Sequence, residues 1–300
     1  MRQPFTLTLR SGKQILLGQR TAIVGVLNVT PDSFSDGGKN FDAERAIERA
    51  LEMESEGADI IEVGGESTRP GSDRISAEEE LSRIAPVLAG LSGRLQSPIS
   101  IDTYKSAVAE RAIEMGAEIV NDISALRFDP LISDVAARRE AILILMHMRG
   151  EPATMQQTEP SRDIFADIEQ DFRLAIEKAE IRGVCRERII LDPGIGFGKT
   201  LEQNLALLNQ LDRLSEFDLP LMIGTSRKSF IGKITGRPTD ERIFGTAASV
   251  SAAILRGAHI VRVHDVKEMR EVALIADAIL NSTPRRDTKK APRRRAKKIP

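Results

Sequence analysis

The sequence has one cysteine, Cys185, and three histidines in 300 residues. The lone cysteine excludes an intramolecular disulfide, and the histidines fall in no zinc-ligand spacing, so neither a disulfide-stapled secreted fold nor a zinc module is encoded. A long apolar leader with a small-residue cleavage site is missing from the N-terminus, and no apolar run approaches the roughly 18 residues that suggest a membrane span. These absences point to the reducing cytoplasm, without a membrane anchor. Net charge is almost missing too, at −1, but its distribution is uneven. From Arg285 onward nine basic residues face one acidic, so the tail carries +8 and the body −9. A segment of Pro, Ala, Lys and Arg with almost nothing to bury is expected to be disordered, and residues 284–300 are read as a solvated charged tail rather than a nucleic-acid-binding arm.

A nucleotide loop is absent as well, despite one stretch that invites it. "LDPGIGFGKT", Leu191 to Thr200, ends in Gly-Lys-Thr. The P-loop spacing needs a Gly five residues before the Gly of Gly-Lys, and that position holds Pro193. The dinucleotide fingerprint fails too, because Gly196 and Gly198 are separated by one residue where two are required. The glycines are read as letting the chain turn tightly and approach a ligand closely. Lys199 and Thr200 are read as the entrance of the next helix.

What is present is a body able to bury a core, at 41% hydrophobic and 29% charged residues. "FTLTLRSGKQILLG" alternates apolar and polar residues around Ser11-Gly12, which predicts a β-hairpin. After it one unit recurs, a short apolar run followed by a longer amphipathic stretch: "AIVGVLNVT", "DIIEVGGEST", "PISIDT", "EIVNDIS", "AILILMH", "RIILDPG", "PLMIGTS" and "HIVRVHD". Ser76 with Glu79 forms a capping-box pattern, and Gly57 and Gly116 read as helix stops. Eight apolar strands alternating with helices favour an α/β fold, a (β/α)8 TIM barrel over residues 1–283 with an N-terminal hairpin, over an open doubly wound sheet.

In such a barrel the chemistry sits at the C-terminal ends of the strands. Those positions hold Asn28, the Glu66–Arg69 loop, Asp102, Asn121, Met146 with His147, Asp192, Ser226 to Ser229, and Arg262 with His264. For any single Asp, Asn or Ser a helix N-cap is the plain explanation, but recurrence at strand after strand exceeds it. Arg262 and His264 lie two apart and so share a face, suited to gripping one anion; an ion pair of Arg262 with Asp265 is the structural alternative. For Asp102 the alternative is capping a helix that begins near Tyr104, and for Met146 it is barrel core.

These ordered motifs, from "GVLNVTPDSFSDGG" through "VGGESTRPG", "SIDTYKSAVA", "LMHMRGEPATMQ", "LDPGIGFGKT" and "GTSRKSFIG" to "RVHDVKE", resemble the dihydropteroate synthase family over nearly the whole body. The resemblance implies condensation of 6-hydroxymethyl-7,8-dihydropterin diphosphate with para-aminobenzoate, releasing pyrophosphate, in a cytoplasmic homodimer that is a sulfonamide target and uses Mg²⁺. It places Asp102, Asn121, Met146, Asp192 and Lys228 around the pterin, with Gly224 and Ser226 as further substrate-binding positions, an assignment consistent with a carboxylate accepting the ring's adjacent N–H donors. Arg262 and His264 would hold the diphosphate, and Asn28 with Asp36 the metal. Ser229 would receive the carboxylate of para-aminobenzoate and Phe197 and Pro70 would flank its ring, while two loops carrying Phe34 and Thr68 with Arg69 would close the site, Arg69 on the anionic ligands and Thr68 on pterin or aminobenzoate. A dissociative reaction follows, in which pyrophosphate leaves before the arylamine adds, so that no protein nucleophile is needed. A Schiff-base role for Lys228, a corrinoid-linked pterin methyltransferase and a silent pterin-binding paralogue are the competing readings; "TSRKS" and "RVHD" argue against the methyltransferase, and no anion residue is missing as a silent paralogue would require.

Overall fold

The computed structural model describes residues 2–30, 39–68 and 71–282. Phe34, Asp36, Arg69, Pro70 and the tail 284–300 therefore lie outside the described residues. The hairpin forms as its alternation predicts: β1 (Phe5–Thr8) pairs antiparallel with β2 (Gln14–Leu17).

The eight apolar runs become eight parallel strands: β3 (Ala22–Asn28), β4 (Ile60–Gly64), β5 (Ile99–Asp102), β6 (Ala117–Asp122), β7 (Ile142–Met146), β8 (Ile189–Asp192), β9 (Met222–Ile223) and β10 (Ile260–Val263). Each neighbours the next in chain order and β10 returns to β3. A bridge between Leu191 and Leu221 joins β8 to β9, so the sheet rolls into a barrel and the open-sheet alternative is set aside. The helices are α1 (Lys39–Ser55), α2 (Ala77–Leu91), α3 (Ser106–Glu114), α4 (Leu131–Arg139), α5 (Ile164–Ile181), α6 (Leu201–Asn209), α7 (Ser229–Thr235), α8 (Ile243–Leu255) and α9 (Val266–Asn281). Ser76 accepts from the Glu79 N–H at the start of α2, and Gly57 and Gly116 end α1 and α3 with φ of 103° and 108°. None of the described helices is long and apolar enough to cross a membrane.

Two apolar layers follow from the two-residue period of the strands. Outward residues such as Ile23, Ile61 and Val120 pack under the helices. Inward residues Val24, Ile60, Ile119, Ile144, Ile190, Met222 and Ile260 fill the barrel together with Leu7, Leu9 and Leu17 of the hairpin region, which thus plugs its N-terminal end. Two residues farther along the same strands the inward positions become Glu62, Asn121, Met146, Asp192, Gly224 and Arg262. The fold places its polar set by alternation alone.

The plug is testable. Leu9 is buried while Leu16 on the same hairpin is 64% exposed. Leu9→Ala is expected to lower unfolding free energy by about 2–5 kcal/mol and Leu16→Ala by less than about 0.5 kcal/mol in chemical denaturation. Equal losses would mean that the hairpin does not seal the barrel.

Candidate active site

At the centre of the inward polar layer stands Arg262 on β10. Its Nε donates to Glu62 on β4, and one terminal nitrogen donates to Asp102 Oδ2 at 2.7 Å. The second Glu62 oxygen accepts from Asn121 Nδ2 at 2.9 Å. Glu62 is fully buried, so these partners are what make its charge tolerable in the barrel. Burial works against the Arg262 charge, but Glu62 and Asp102 outweigh it and raise its pKa. Burial pushes the Asp102 carboxyl up to about 7 against the pull of Arg262. Asp192, at the end of β8, is also raised by burial, with Lys228 and the Gly194 N–H drawing it back. Among the described residues, Asp102 Oδ1 and Asn121 Oδ1 are buried acceptors without a hydrogen-bond partner. Such atoms are expensive to leave unmet, and here two of them lie at neighbouring strand ends beside Arg262.

Above the floor opens a cavity of about 540 Å³. Asn28, Thr68, Phe197, Lys228, Arg262 and His264 are among the residues that line it, as do Ser226 and Ser229. Arg262 faces both spaces, lining the cavity while reaching Glu62 and Asp102 beneath. Lys228 donates to the Ile195 carbonyl, and its ammonium lies 4.7 Å from the centroid of the Phe197 ring. His264 Nδ1 is 3.0 Å from Ser226 Oγ. The turn that delivers Lys228 passes through Arg227 in the left-handed region, φ 58°, where the Asp265 carboxylate and Thr246 Oγ1 hold it.

The loop "LDPGIGFGKT" is fastened from within. Buried Lys199 donates to the carbonyls of His147 at 3.2 Å, Gly194 at 2.9 Å and Phe197 at 3.1 Å. Burial holds its pKa well below the ordinary lysine value. Gly194 and Gly198 both have φ of 65°, and a side chain there would meet the His147 carbonyl oxygen at 2.0 Å or that of Arg149 at 2.4 Å. These two glycines thus admit neighbouring backbone, and their positive φ gives the tight turn that the sequence predicts. Thr200 caps α6 with a capping box to Gln203, as a helix entrance should.

The strand-end prediction therefore divides into a wall and a floor. Asn28, Thr68, Phe197, Ser226, Lys228, Ser229, Arg262 and His264 form wall, and Gly224 lies between Lys228 and Arg262, 3.6 Å from a built Cβ to the ammonium. Asp102, Asn121, Met146 and Asp192 are buried at their strand ends. Asp102 does not cap a helix, because α3 begins only at Ser106 and the carboxylate is engaged by Arg262. Asp265 pairs with Arg227, so the alternative of an Arg262–Asp265 pair is set aside, and Arg262 pairs with Glu62 and Asp102. His147 turns away toward α5, with Nε2 3.4 Å from Asp171, and burial keeps it neutral. Glu66 accepts from Tyr104 Oη at 2.7 Å and pairs with Lys105, bracing the barrel rim. Sequence reasoning missed Glu62 and Lys199. An acid inside the apolar run "DIIEVGG" was the available sign of the first; nothing local announced the second, since Gly-Lys-Thr suggested phosphate.

A family profile described as "Pterin binding enzyme" matches residues 24–264. The chain is 49% identical over 263 residues to the dihydropteroate synthase of Synechocystis sp., covering 87% of this chain and 91% of that protein. Among solved structures it superposes on Yersinia pestis dihydropteroate synthase in a sulfonamide drug complex with TM-score 0.85 and 42% identity, covering 92% and 98% of the two chains. The Xanthomonas albilineans dihydropteroate synthase with 4-aminobenzoic acid matches with TM-score 0.86 and 37% identity, over 94% and 100%.

Lys228 makes the cavity's anion affinity depend on pH. Burial lowers it to about 8, with Asp192 opposing and Arg262 adding to the fall. Its positive charge is present below that pH and lost above it, so binding of a small aromatic carboxylate should weaken as pH rises from about 7 to about 9. Calorimetric titration across that range checks this, and Lys228→Arg should flatten the decline. A level wild-type affinity would reject the assignment.

Proposed function

We infer what the pocket does from one premise: the chain belongs to the dihydropteroate synthases of the pterin binding enzyme family. It is a transferase that condenses 6-hydroxymethyl-7,8-dihydropterin diphosphate with para-aminobenzoate, giving 7,8-dihydropteroate and pyrophosphate in folate biosynthesis. The observation that carries the residue assignment is the pair of unmet buried acceptors, Asp102 Oδ1 and Asn121 Oδ1, beneath a cationic wall. The aminopyrimidinone edge of a pterin supplies adjacent N–H donors to such a floor, where Asp192 adds a further carboxylate and Met146 an apolar contact. Phe197 flanks the aminobenzoate ring, with Lys228, Ser226 and Ser229 at its carboxylate. Arg262, His264 and Lys228 face the diphosphate, while Asp102 keeps Oδ1 free of Arg262 for the ring.

The carbon–oxygen bond to the diphosphate breaks first, with the electron pair leaving on pyrophosphate. The remaining methylene cation is delocalised into the dihydropterin, and the neutral arylamine nitrogen adds to it and then loses a proton. The chain's residues orient both substrates and stabilise the departing charge; no covalent intermediate is required of Lys228. Asn28 ends β3 with its amide oxygen 3.8 Å from a Cβ built on Gly64, beside Asp102. One neutral oxygen at the mouth suits Mg²⁺ completed by phosphate and water oxygens, with Asp36 as the second proposed ligand. When bound, that ion shields diphosphate charge. Phe34, Thr68, Arg69 and Pro70 complete the closed site in this reading. An arylamine with a sulfonyl group in place of the carboxylate fits the same subsite, consistent with the sulfonamide complex of the similar Yersinia pestis protein.

Purified protein with dihydropterin diphosphate, Mg²⁺ and para-aminobenzoate should yield dihydropteroate and pyrophosphate, with EDTA abolishing turnover and a sulfonamide competing with the arylamine. No dihydropteroate from folded protein would overturn the assignment.

We further infer a cytoplasmic homodimer joined through α8 and α9. α8 carries no charged residue, yet Phe244 is 87% exposed on its outer face, and Leu274, Ile275 and Ile279 are exposed on α9 beside it. Exposed apolar side chains on two helices that pack against each other favour an isologous contact. Phe244→Glu should convert a dimer to a folded monomer in sedimentation velocity; a wild-type monomer at micromolar concentration sinks the idea.

A further inference from the structure

The reaction assigned above does not account for Glu62. It is an acid on an inward strand position, fully buried, with both oxygens engaged and no face on the cavity. A carboxylate accepts and does not donate, so Glu62 dictates what its partners present to it. Arg262 can only donate and meets this demand in any orientation. Asn121 can present either end of its amide, and Glu62 compels it to turn its NH₂ inward. Its carbonyl oxygen is thereby left as the unmet acceptor, alongside Asp102 Oδ1.

We propose that Glu62 is a positioning residue that sets the hydrogen-bond polarity of the pterin floor by turning the Asn121 amide oxygen toward the ligand, and so selects a 2-amino ring over its 2-oxo counterpart. The proposal rests on reading this floor as the pterin site. A 2-oxo ring, a lumazine, would set its own acceptor against Asn121 Oδ1 or Asp102 Oδ1, and facing acceptors in a buried site repel.

Glu62→Gln tests this because the outcome is dictated by donor and acceptor counting. The Gln carbonyl must stay with Arg262, which has nothing but donors, so the Gln NH₂ faces Asn121. Asn121 then has to rotate its carbonyl inward and offers NH₂ to the ligand. The variant also leaves Asp102 and Arg262 as a balanced pair, which favours folding.

Binding of 6-hydroxymethylpterin and 6-hydroxymethyllumazine is measured by calorimetry on the full-length wild type, Glu62→Gln, and the double variant Glu62→Gln with Asn121→Asp. Wild type should prefer the pterin, and Glu62→Gln should reduce that preference by about 10-fold to 100-fold. The KM for para-aminobenzoate should not move. In the double variant the Gln NH₂ donates to one oxygen of the new carboxylate while the other faces the ring, so the preference should return. A uniform loss of affinity for both rings in Glu62→Gln, with their ratio unchanged, would show a merely structural role and overturn the proposal. If the single variant does not fold, a double variant that folds without pterin preference overturns it equally. Wild type that binds neither ring would instead overturn the pterin reading, and this proposal with it.

Discussion

Everything at the mouth of the barrel depends on one buried charge arrangement, Glu62 and Asp102 against Arg262. A parallel barrel interior is normally filled by branched apolar side chains, and here it is so up to the layer of Ile60, Ile119 and Ile260. One step farther along the strands, two acids from β4 and β5 converge on a cation from β10. Taking these charges out of water is costly, and the mutual contacts offset the cost only while all three stay in place. The same contacts aim Asn121, so which acceptors are left unpaired follows from how the charges are compensated.

The wall is organised by a buried lysine with a different task. Lys199 donates to three carbonyls from two neighbouring strand-end loops and so ties them together. That fixes the path of residues 194–198, places Phe197 on the cavity, and presents the Ile195 carbonyl to Lys228. The two lysines of the site thus divide the work. Lys199 is sealed and shapes the loop, whereas Lys228 lines the cavity and has its pKa lowered to about 8, because burial and Arg262 oppose its charge while Asp192 supports it.

How far these features were legible follows from the range of the forces involved. The strands and the hairpin are visible as local periodicity, and the Ser76 cap as a three-residue pattern with Glu79. Asp102, Asn121, Asp192 and Arg262 could be placed at strand ends because barrel geometry converts position along a strand into position in a site. Their partnerships could not. Arg262 and Glu62 are 200 residues apart and join only because β4 and β10 flank β3. Asp265 is the nearer acid to Arg262 in sequence, yet it sits past the strand end where Arg227 claims it.

The sequence by itself determined the barrel, the face each strand residue takes and the family to which the motifs point, because repeated apolar runs and period-two alternation are properties of adjacent residues. Only the tertiary structure decided which polar groups cancel and which are left over. Cancellation depends on distances across the barrel, and those arise when the strands close: Glu62 finds Asn121 and Arg262, Lys199 finds the backbone of the preceding strand-end loop, and the glycines that resembled a phosphate loop make room for that backbone.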